Sequence, residues 1–405
     1  MIASVSWRNI WRNKLRSTVV IMAVTFGLFA GIFSSGVMQG MIDRRIYTGI
    51  NTELSHIQVH EPRYTENNEP EFTLPSAHSM ARTIRTLDGV AGVASRTRII
   101  AMASSAETGT GVMIVGVDPE LEPQVTDLHT RLIEGEYLSS GSRNTILIGK
   151  KLADKLNIHL RSRIVITLQS SDGHITSGAF RVVGIFKTSN TAWDEMNAFV
   201  GQEVINQLAG LADGTSHELA IRLSDNDQTA RVSERIKGLY PDLEVRSWYE
   251  LNKELGLLTE YMDYYLYVFM IIILLALAFG IVNTMLMVVL ERVKELGMLM
   301  AIGMTRTRVF LMIMLETLFL SFTGALAGTA VSAAVMAHFY KTGLHFEAFT
   351  EGFEAYGYEA VAYPYVTPQF YLMLALLVSA TAILASIYPA LKALRLNPAD
   401  ALRTE

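Results

Sequence analysis

From Ser17 to Ile42 the chain runs for 26 residues without a charged side chain. As a helix this is about 39 Å long, enough to cross a hydrocarbon core of about 30 Å with length to spare. A cleavable signal peptide would have a shorter apolar core and a small-residue cleavage site. This stretch is too long and offers no clear site, so it reads as a membrane span. Three more stretches follow the same rule. Tyr264–Leu290 is uncharged, a third runs from near Val309 to about Phe339 with Glu316 as its one acid, and a fourth lies within Pro368–Leu391.

The direction of the spans follows from Lys and Arg in their short flanks. Arg8, Arg12, Lys14 and Arg16 precede the first; Arg292, Lys294, Arg306 and Arg308 lie between the second and third; Lys392, Arg395 and Arg403 follow the fourth. The segment between the third and fourth carries Lys341 against Glu347, Glu351, Glu354 and Glu359. The three basic segments belong on one side, so both termini are expected in the cytoplasm and residues 43–263 outside it. The net charge of −5 suggests no nucleic-acid partner, and the absence of cysteine removes disulfide, Zn–Cys and Fe–S chemistry. The 19 methionines sit mostly in apolar stretches. They suit flexible packing or an adaptable apolar binding surface.

The outside stretch alternates strand-like and helix-like signals. Leu54–His60, Val93–Met102, Gly111–Val117, Thr145–Ile148, Arg163–Leu168, Phe180–Phe186, Leu219–Leu223 and Leu243–Ser247 read as strands. Ser76–Asp88, with Ser76 as N-cap, Lys150–Asn157 and Asp227–Leu239 read as helices. A helix, a turn and a strand recur near each end, which predicts an α+β domain with two subregions. His56 and His60 alternate on one strand around Gln58, and with His159 and His174 they invite a metal reading. No third ligand is evident, so ordinary histidines are expected. No Ser/His/Asp set or paired carboxylates stand out.

Leu251, Leu255, Leu258, Met262, Tyr265 and Phe269 fall on one helical stripe. The helix of the second span is therefore expected to begin near residue 249, either as a stalk above the bilayer or packed on its own domain. Small residues that let helices approach closely recur as Gly27/Gly31 and Gly36/Gly40 on nearly opposite faces of the first span, and as Gly324/Gly328 in the third. Glu316 is an intramembrane acid; near the cytoplasmic end, it is expected to pair with a basic neighbour, Arg308 being about two turns away. The segment Glu291–Arg308 is amphipathic. Its Met298, Leu299, Met300 and Ile302 suit either lipid or a groove on a partner.

That segment also carries a resemblance. Asn283–Gly303, NTMLMVVLERVKELGMLMAIG, resembles the signature of FtsX/MacB/LolC–LolE-like permeases of ABC transporters (type VII). The opening SWRNIWRNKLRS, the closing YPALKALRLNPADALR, VGVDP at 115–119, ILIGKKLADKLNI at 146–158, FRVVGIF and AFV at 198–200 are similar to the same family. The outside segments look most like the lipoprotein-releasing LolC/LolE type. The resemblance implies an α-helical membrane protein with four transmembrane helices and an α+β MacB-type periplasmic domain between helices 1 and 2. It divides the chain into a cytoplasmic amphipathic segment 1–16, the first span 17–42, the domain 43–250, stalk and second span 251–290, a coupling helix 291–308, the third span 309–340, a short periplasmic loop 341–367, the fourth span 368–391 and a tail 392–405.

The resemblance further implies a multi-pass protein of the bacterial inner membrane, working as a dimer with a second copy or a paralogue. Cytoplasmic ABC ATPase subunits would dock on Glu291, Arg292, Lys294, Glu295, Gly297, Met298, Leu299, Ala301, Ile302 and Gly303. Met300 stands where Arg is common in the family. The expected cargo is a lipoprotein, with a periplasmic chaperone or adaptor and membrane lipid as further partners. Phe29, Phe33, Met38, Phe269, Met270 and Ile273 are the expected lining of a substrate cleft, chosen for apolar bulk near the outer ends of the spans. The chain carries no phosphate loop: Gly149-Lys150 is followed by Lys151, and Asn144 stands where the first Gly should be. A non-catalytic permease is therefore expected, with ATP and Mg on a separate subunit, unlike MacB proper with its fused ATPase. One departure from the family is the connection Gln169–Ala179, short, polar and Pro-free where LolC-like members carry a chaperone-recruiting hook. It reads as a hairpin loop, which suggests a LolE-like partner role or a different hand-over of substrate. MacB-like export of another amphiphile, peptide or drug, and an FtsX-like signal relay to a periplasmic enzyme, are the alternatives.

Overall fold

Long uncharged runs become long helices in the computed structural model, which describes residues 2–12, 14–74 and 76–394. The end of the expected tail, including Arg395 and Arg403, lies outside the described residues. Among the described residues four helices are long and apolar enough to cross a membrane: Ser17–Leu54, Tyr264–Glu291, Arg306–Thr342 and Pro368–Leu394. The chain divides into two units. One takes in the residues up to Met41, Tyr261–His345 and the residues from Val361 on; the other is Ile42–Glu260 with Phe346–Ala360.

In the first unit Ile10 of the amphipathic helix Ile2–Arg12 packs in one cluster with Val20 of the first span and Leu320 of the third, and the Ser6 hydroxyl donates to the Met312 carbonyl at 3.2 Å. Its Trp7 and Trp11 stay exposed, as do Tyr261, Tyr264, Tyr265 and Tyr267 on the second span. Tryptophan and tyrosine in these positions are the anchors expected at the two membrane interfaces. The glycine pairs of the first span meet different neighbours. A Cβ at Gly27 would lie 3.2 Å from Leu277 and one at Gly31 3.1 Å from Leu374. At Gly36 it would strike Met336 and at Gly40 the Tyr363 carbonyl oxygen. Gly324 and Gly328 receive Val24 and Leu28 of the first span, where added Cβ atoms would come within 2.7 and 3.0 Å. Close approach is what holds helices together in lipid, which supplies no hydrophobic drive.

The second unit is built on ten strands: β1 Ile57–His60, β2 Val90–Ser104, β3 Gly109–Val117, β4 Leu132–Gly135, β5 Thr145–Gly149, β6 Arg163–Gln169, β7 Ile175–Phe186, β8 Asn197–Gly201, β9 Glu218–Leu223 and β10 Glu244–Ser247. Their order is β10-β1-β9-β2-β3-β8-β5-β7-β4, with β6 pairing β2 and β7. β3/β8 and β5/β7 are parallel; the remaining pairs are antiparallel. The two expected subregions thus share one sheet. One core lies around Ile99, Ile114, Ile146 and Ile166, another around Ile57, Val93, Ile221 and Ile236.

Local differences from the sequence reading have local causes. Leu54 does not open β1: residues Gly49–Leu54 continue the preceding helix as a π-helical turn, held by a buried Arg45–Glu53 pair at 2.9 Å. Ser76 has φ +57 and its side chain caps nothing; the helix after it is Ala77–Arg85. The connection expected over Gln169–Ala179 shrinks to residues 170–174, because β6 and β7 pair as far as Gln169 and Ile175. The long helix of the second span begins at Lys253, not 249. Asn252 is extended and its Oδ1 accepts the Leu255 N–H at 3.1 Å, so it ends the short helix Trp248–Leu251 and caps the next. Leu255 packs on Ile50 and Trp248. Beyond Met262 the buried stripe moves to Met270, Leu277 and Ile281, and Tyr265 and Phe269 are exposed.

The acidic residues between the third and fourth spans are not idle. Residues 346–360 pack within the second unit, where Glu359 pairs with Arg44 at 2.7 Å and Glu354 with Lys187 at 2.9 Å.

Candidate ATPase-coupling site

The second-span helix ends at Glu291, and Arg292, at φ −101 and ψ 12, breaks it. A short helix, Val293–Ala301, follows. It closes in a Schellman turn, with Gly303 N–H donating to Met300 O at 3.1 Å and Met304 N–H to Leu299 O at 3.0 Å. The turn needs φ +102 at position 303, which glycine adopts without a Cβ clash. The third span then starts at Arg306.

The ten expected coupling residues divide between two faces. Arg292 and Gly297 are buried and Leu299 packs partly against the core of the spans, beside Leu296 and Met300, which are not among the ten; Glu291 is exposed. Lys294, Glu295, Ala301 and Gly303 are exposed, with Met298 at 53% and Ile302 at 79%. Of the four apolar residues expected to meet lipid or a partner, Met298 and Ile302 are therefore the ones presented; Leu299 and Met300 belong to the packing side. The cause is the 100° step per residue, which puts 298 and 302 together and turns 299 inward.

Charges hold this helix. Arg292 donates from Nη1 to both Glu316 oxygens at 3.1 Å and from Nε to Glu295 at 3.0 Å. Arg12 Nη2 reaches both Glu295 oxygens at 2.8 Å. Glu316 is 6% exposed and Arg292 9%. Glu316 is thus paired as expected, but by Arg292 rather than Arg308. Eight residues along one helix separate 308 and 316 by about 12 Å, too far for contact, while the chain reversal returns residue 292 to the same level. Arg12 was not among the expected site residues; only its basic character was visible.

The expected cleft residues do not converge. Phe29 stacks on Phe33 at 5.5 Å, and Phe33 meets Phe339 edge-on at 6.1 Å. Met270 is buried in the core of the spans and Ile273 lies beside Gly31, whereas Phe269 is exposed and Met38 half-buried. Adjacent positions 269 and 270 point in different directions, so they do not serve one surface of this chain.

The second unit holds a cleft of about 350 Å³ that sequence reading missed, lined in part by Arg98, Met113, Trp193, Met196 and Phe199. Two of its lining residues, Arg96 and Glu122, pair at 2.7 Å, Arg96 also pairs with Glu218 at 2.7 Å, and Arg98 pairs with Glu218 at 3.0 Å. These residues lie on separate strands and turns, so no spacing in the sequence signals them. Three histidines serve the sheet, whereas His159 and His174 are exposed. His56 Nδ1 accepts the Leu223 N–H at 3.3 Å and His217 Nδ1 the Arg98 N–H at 3.1 Å, while His60 contacts the His217 carbonyl and Gln58.

Comparison with known proteins agrees with this layout. The model of the MacB-like periplasmic core domain matches residues 17–239 and that of the FtsX-like permease C-terminal domain residues 267–398. The lipoprotein-releasing system transmembrane protein LolC of Neisseria meningitidis serogroup B is 22% identical, with 96% of this chain and 94% of that protein aligned. The pyoverdine export ATP-binding/permease protein PvdT of Pseudomonas savastanoi pv. phaseolicola is 23% identical over 99% of this chain and 59% of its own length. Among solved structures, the periplasmic region of MacB from Actinobacillus actinomycetemcomitans covers 51% of this chain and 94% of its own, at 12% identity and a TM-score of 0.36. With the two family models matching most of the chain between them and a relative aligned nearly end to end, the chain belongs to the FtsX/MacB/LolC–LolE-like family of ABC transporter permeases.

Proposed function

We propose that this permease extracts lipoproteins from the outer leaflet of the bacterial inner membrane for delivery to the outer membrane. The likeness to LolC over 96% of the chain supports this cargo. In this reading both termini are cytoplasmic and residues 43–263 largely periplasmic. A second copy or a paralogue completes the permease pair. A separate ATPase binds ATP and Mg, and its movement enters through the exposed apolar patch of Met298, Ala301 and Ile302. The unbroken helix Lys253–Glu291 carries that movement outward.

Two experiments test the reading. Photo-crosslinkers at Phe29, Phe33, Phe269 and Ile273 should label a triacylated lipoprotein more strongly than crosslinkers at Leu376 and Leu384 on the fourth span. Equal labelling would overturn the assignment of cargo and path. Ile302→Glu should abolish co-purification of the ATPase while leaving membrane insertion intact, since burying a carboxylate in an apolar contact is costly. Undiminished co-purification would sink the coupling assignment. The likeness to PvdT favours a second reading, export of another amphiphile, peptide or drug. Capture of a periplasmic adaptor together with absence of lipoprotein labelling would select it.

A further inference from the structure

Glu316 is a carboxylate inside a membrane-crossing helix, and its partner comes from a different element. Arg292 leaves the helical path between the second span and the short helix Val293–Ala301, and its guanidinium grips both Glu316 oxygens at 3.1 Å. The same guanidinium holds Glu295 at 3.0 Å, one turn into the short helix. Glu295 in turn receives Arg12, the last residue of the N-terminal helix, at 2.8 Å. Two arginines and two glutamates thus alternate along one chain of contacts and balance in charge. Together they tie the N-terminal helix, the end of the second span, the short helix and the third span. A small cavity lined by Asn9, Arg12, Ser17, Arg292 and Glu316 opens beside them, so the tie is not embedded in dense packing.

A surface ion pair adds little to an assembly, but breaking a buried one is costly because it leaves a charge uncompensated in a low-dielectric setting. The apolar side of the short helix contributes Leu296, and in part Leu299 and Met300, to the core of the spans, and the charged contacts add a direction to that packing.

We propose that Glu316 and Arg292 are positioning residues for the ATP-driven step, locking the coupling helix to the third span so that both move as one body when the ATPase moves. This rests on the coupling role given above to Val293–Ala301. The tie does not touch Met298 or Ile302, so docking and transmission are separable.

The full complex, reconstituted in nanodiscs with its ATPase, provides the test. The chain has no cysteine, so cysteines placed at Lys294 and Leu311, exposed positions on the short helix and the third span, carry spin labels without background from this chain. In the otherwise unchanged chain the label distance should be the same in nucleotide-free and vanadate-trapped states. In Glu316→Gln the ATPase should still co-purify, but the distance should broaden and shift on trapping, and ATP-driven transport should fall at least about tenfold with the KM for ATP unchanged. Arg292→Glu combined with Glu316→Arg should recover part of the transport and the single distance. A Glu316→Gln complex that transports at the original rate with an unchanged distance would overturn the proposal. So would a charge exchange that inserts and binds the ATPase yet restores nothing. Should Glu316→Gln fail to insert, Glu295→Gln, at the exposed end of the tie, takes its place with an expected two- to threefold loss of transport, and no loss would count against the proposal. Failure of the coupling reading looks different: Ile302→Glu would then leave ATPase recruitment intact.

Discussion

Acid should loosen the periplasmic sheet through two histidines. His56 and His217 are buried, and each accepts a backbone N–H at Nδ1, from Leu223 and Arg98 respectively. The Nε2–H of His217 donates to the Pro70 carbonyl at 3.0 Å, so a second proton on this ring would point at an N–H donor. Burial first, with Arg222 adding to it, pulls His56 from 6.5 to about 4. Burial, with His60 and Arg98 adding to it and the Pro70 contact opposing, does the same for His217. A folded-state pKa below the unfolded one means that the unfolded chain binds more protons between these values. The stability these rings contribute is therefore complete above pH 6.5 and is lost as pH falls toward 4. At pH 5 the loss is about 2 kcal/mol for each ring. Asp194 works the other way. Burial raises it to about 6 against its Thr188 contacts, so between pH 7 and 5 it returns about 1 kcal/mol. The net expectation is a loss of about 3 kcal/mol, or on the order of 100-fold in the opening equilibrium.

Hydrogen exchange on the full chain in lipid nanodiscs reads this directly at the Arg98 and Leu223 amides, after correction for the intrinsic pH dependence of exchange. Protection at these amides should drop on the order of 100-fold from pH 7 to pH 5. His217→Gln should remove about 2 kcal/mol of that dependence, because glutamine does not titrate there. Protection that is the same at both pH values would refute the argument that burial and the Nδ1 contacts keep these rings neutral.

Two other perturbations have definite signs. Glu218→Ala strips a fully buried carboxylate from Arg96 and Arg98 and should cost about 3–5 kcal/mol, read by denaturant unfolding of the full chain; a loss below about 1 kcal/mol would mean that the pairing is dispensable. Gly40→Val drives a side chain into the Tyr363 carbonyl, whereas Gly280→Ala meets no heavy atom within 4 Å. The first should destabilise the spans by about 1–3 kcal/mol and the second leave them unchanged, as thermal unfolding in detergent would show.

Much of this protein was legible in its sequence because the physics is local. Twenty-six uncharged residues from Ser17 have one way to satisfy their backbone in lipid, and the same holds for the runs beginning at Tyr264, near Val309 and at Pro368. Gly27, Gly31, Gly324 and Gly328 announced close helix contacts for the same reason. The break at Arg292 and the turn at Gly303 mark a segment between two spans, which the family signature identifies and its amphipathic pattern supports.

Partner identity was not local. Glu316 needed a base, but nearness in sequence favoured Arg308, and only the reversal through residues 292–305 brings Arg292 and, beyond it, Arg12 to the acid. Likewise Arg96 and Glu218 come from distant parts of the chain and meet because the sheet order places β9 beside β2, and Glu122 joins them from the turn after β3. Periodicity determines which residues face inward; which inward-facing charges meet depends on the path of the chain between them, and that was decided by the tertiary structure.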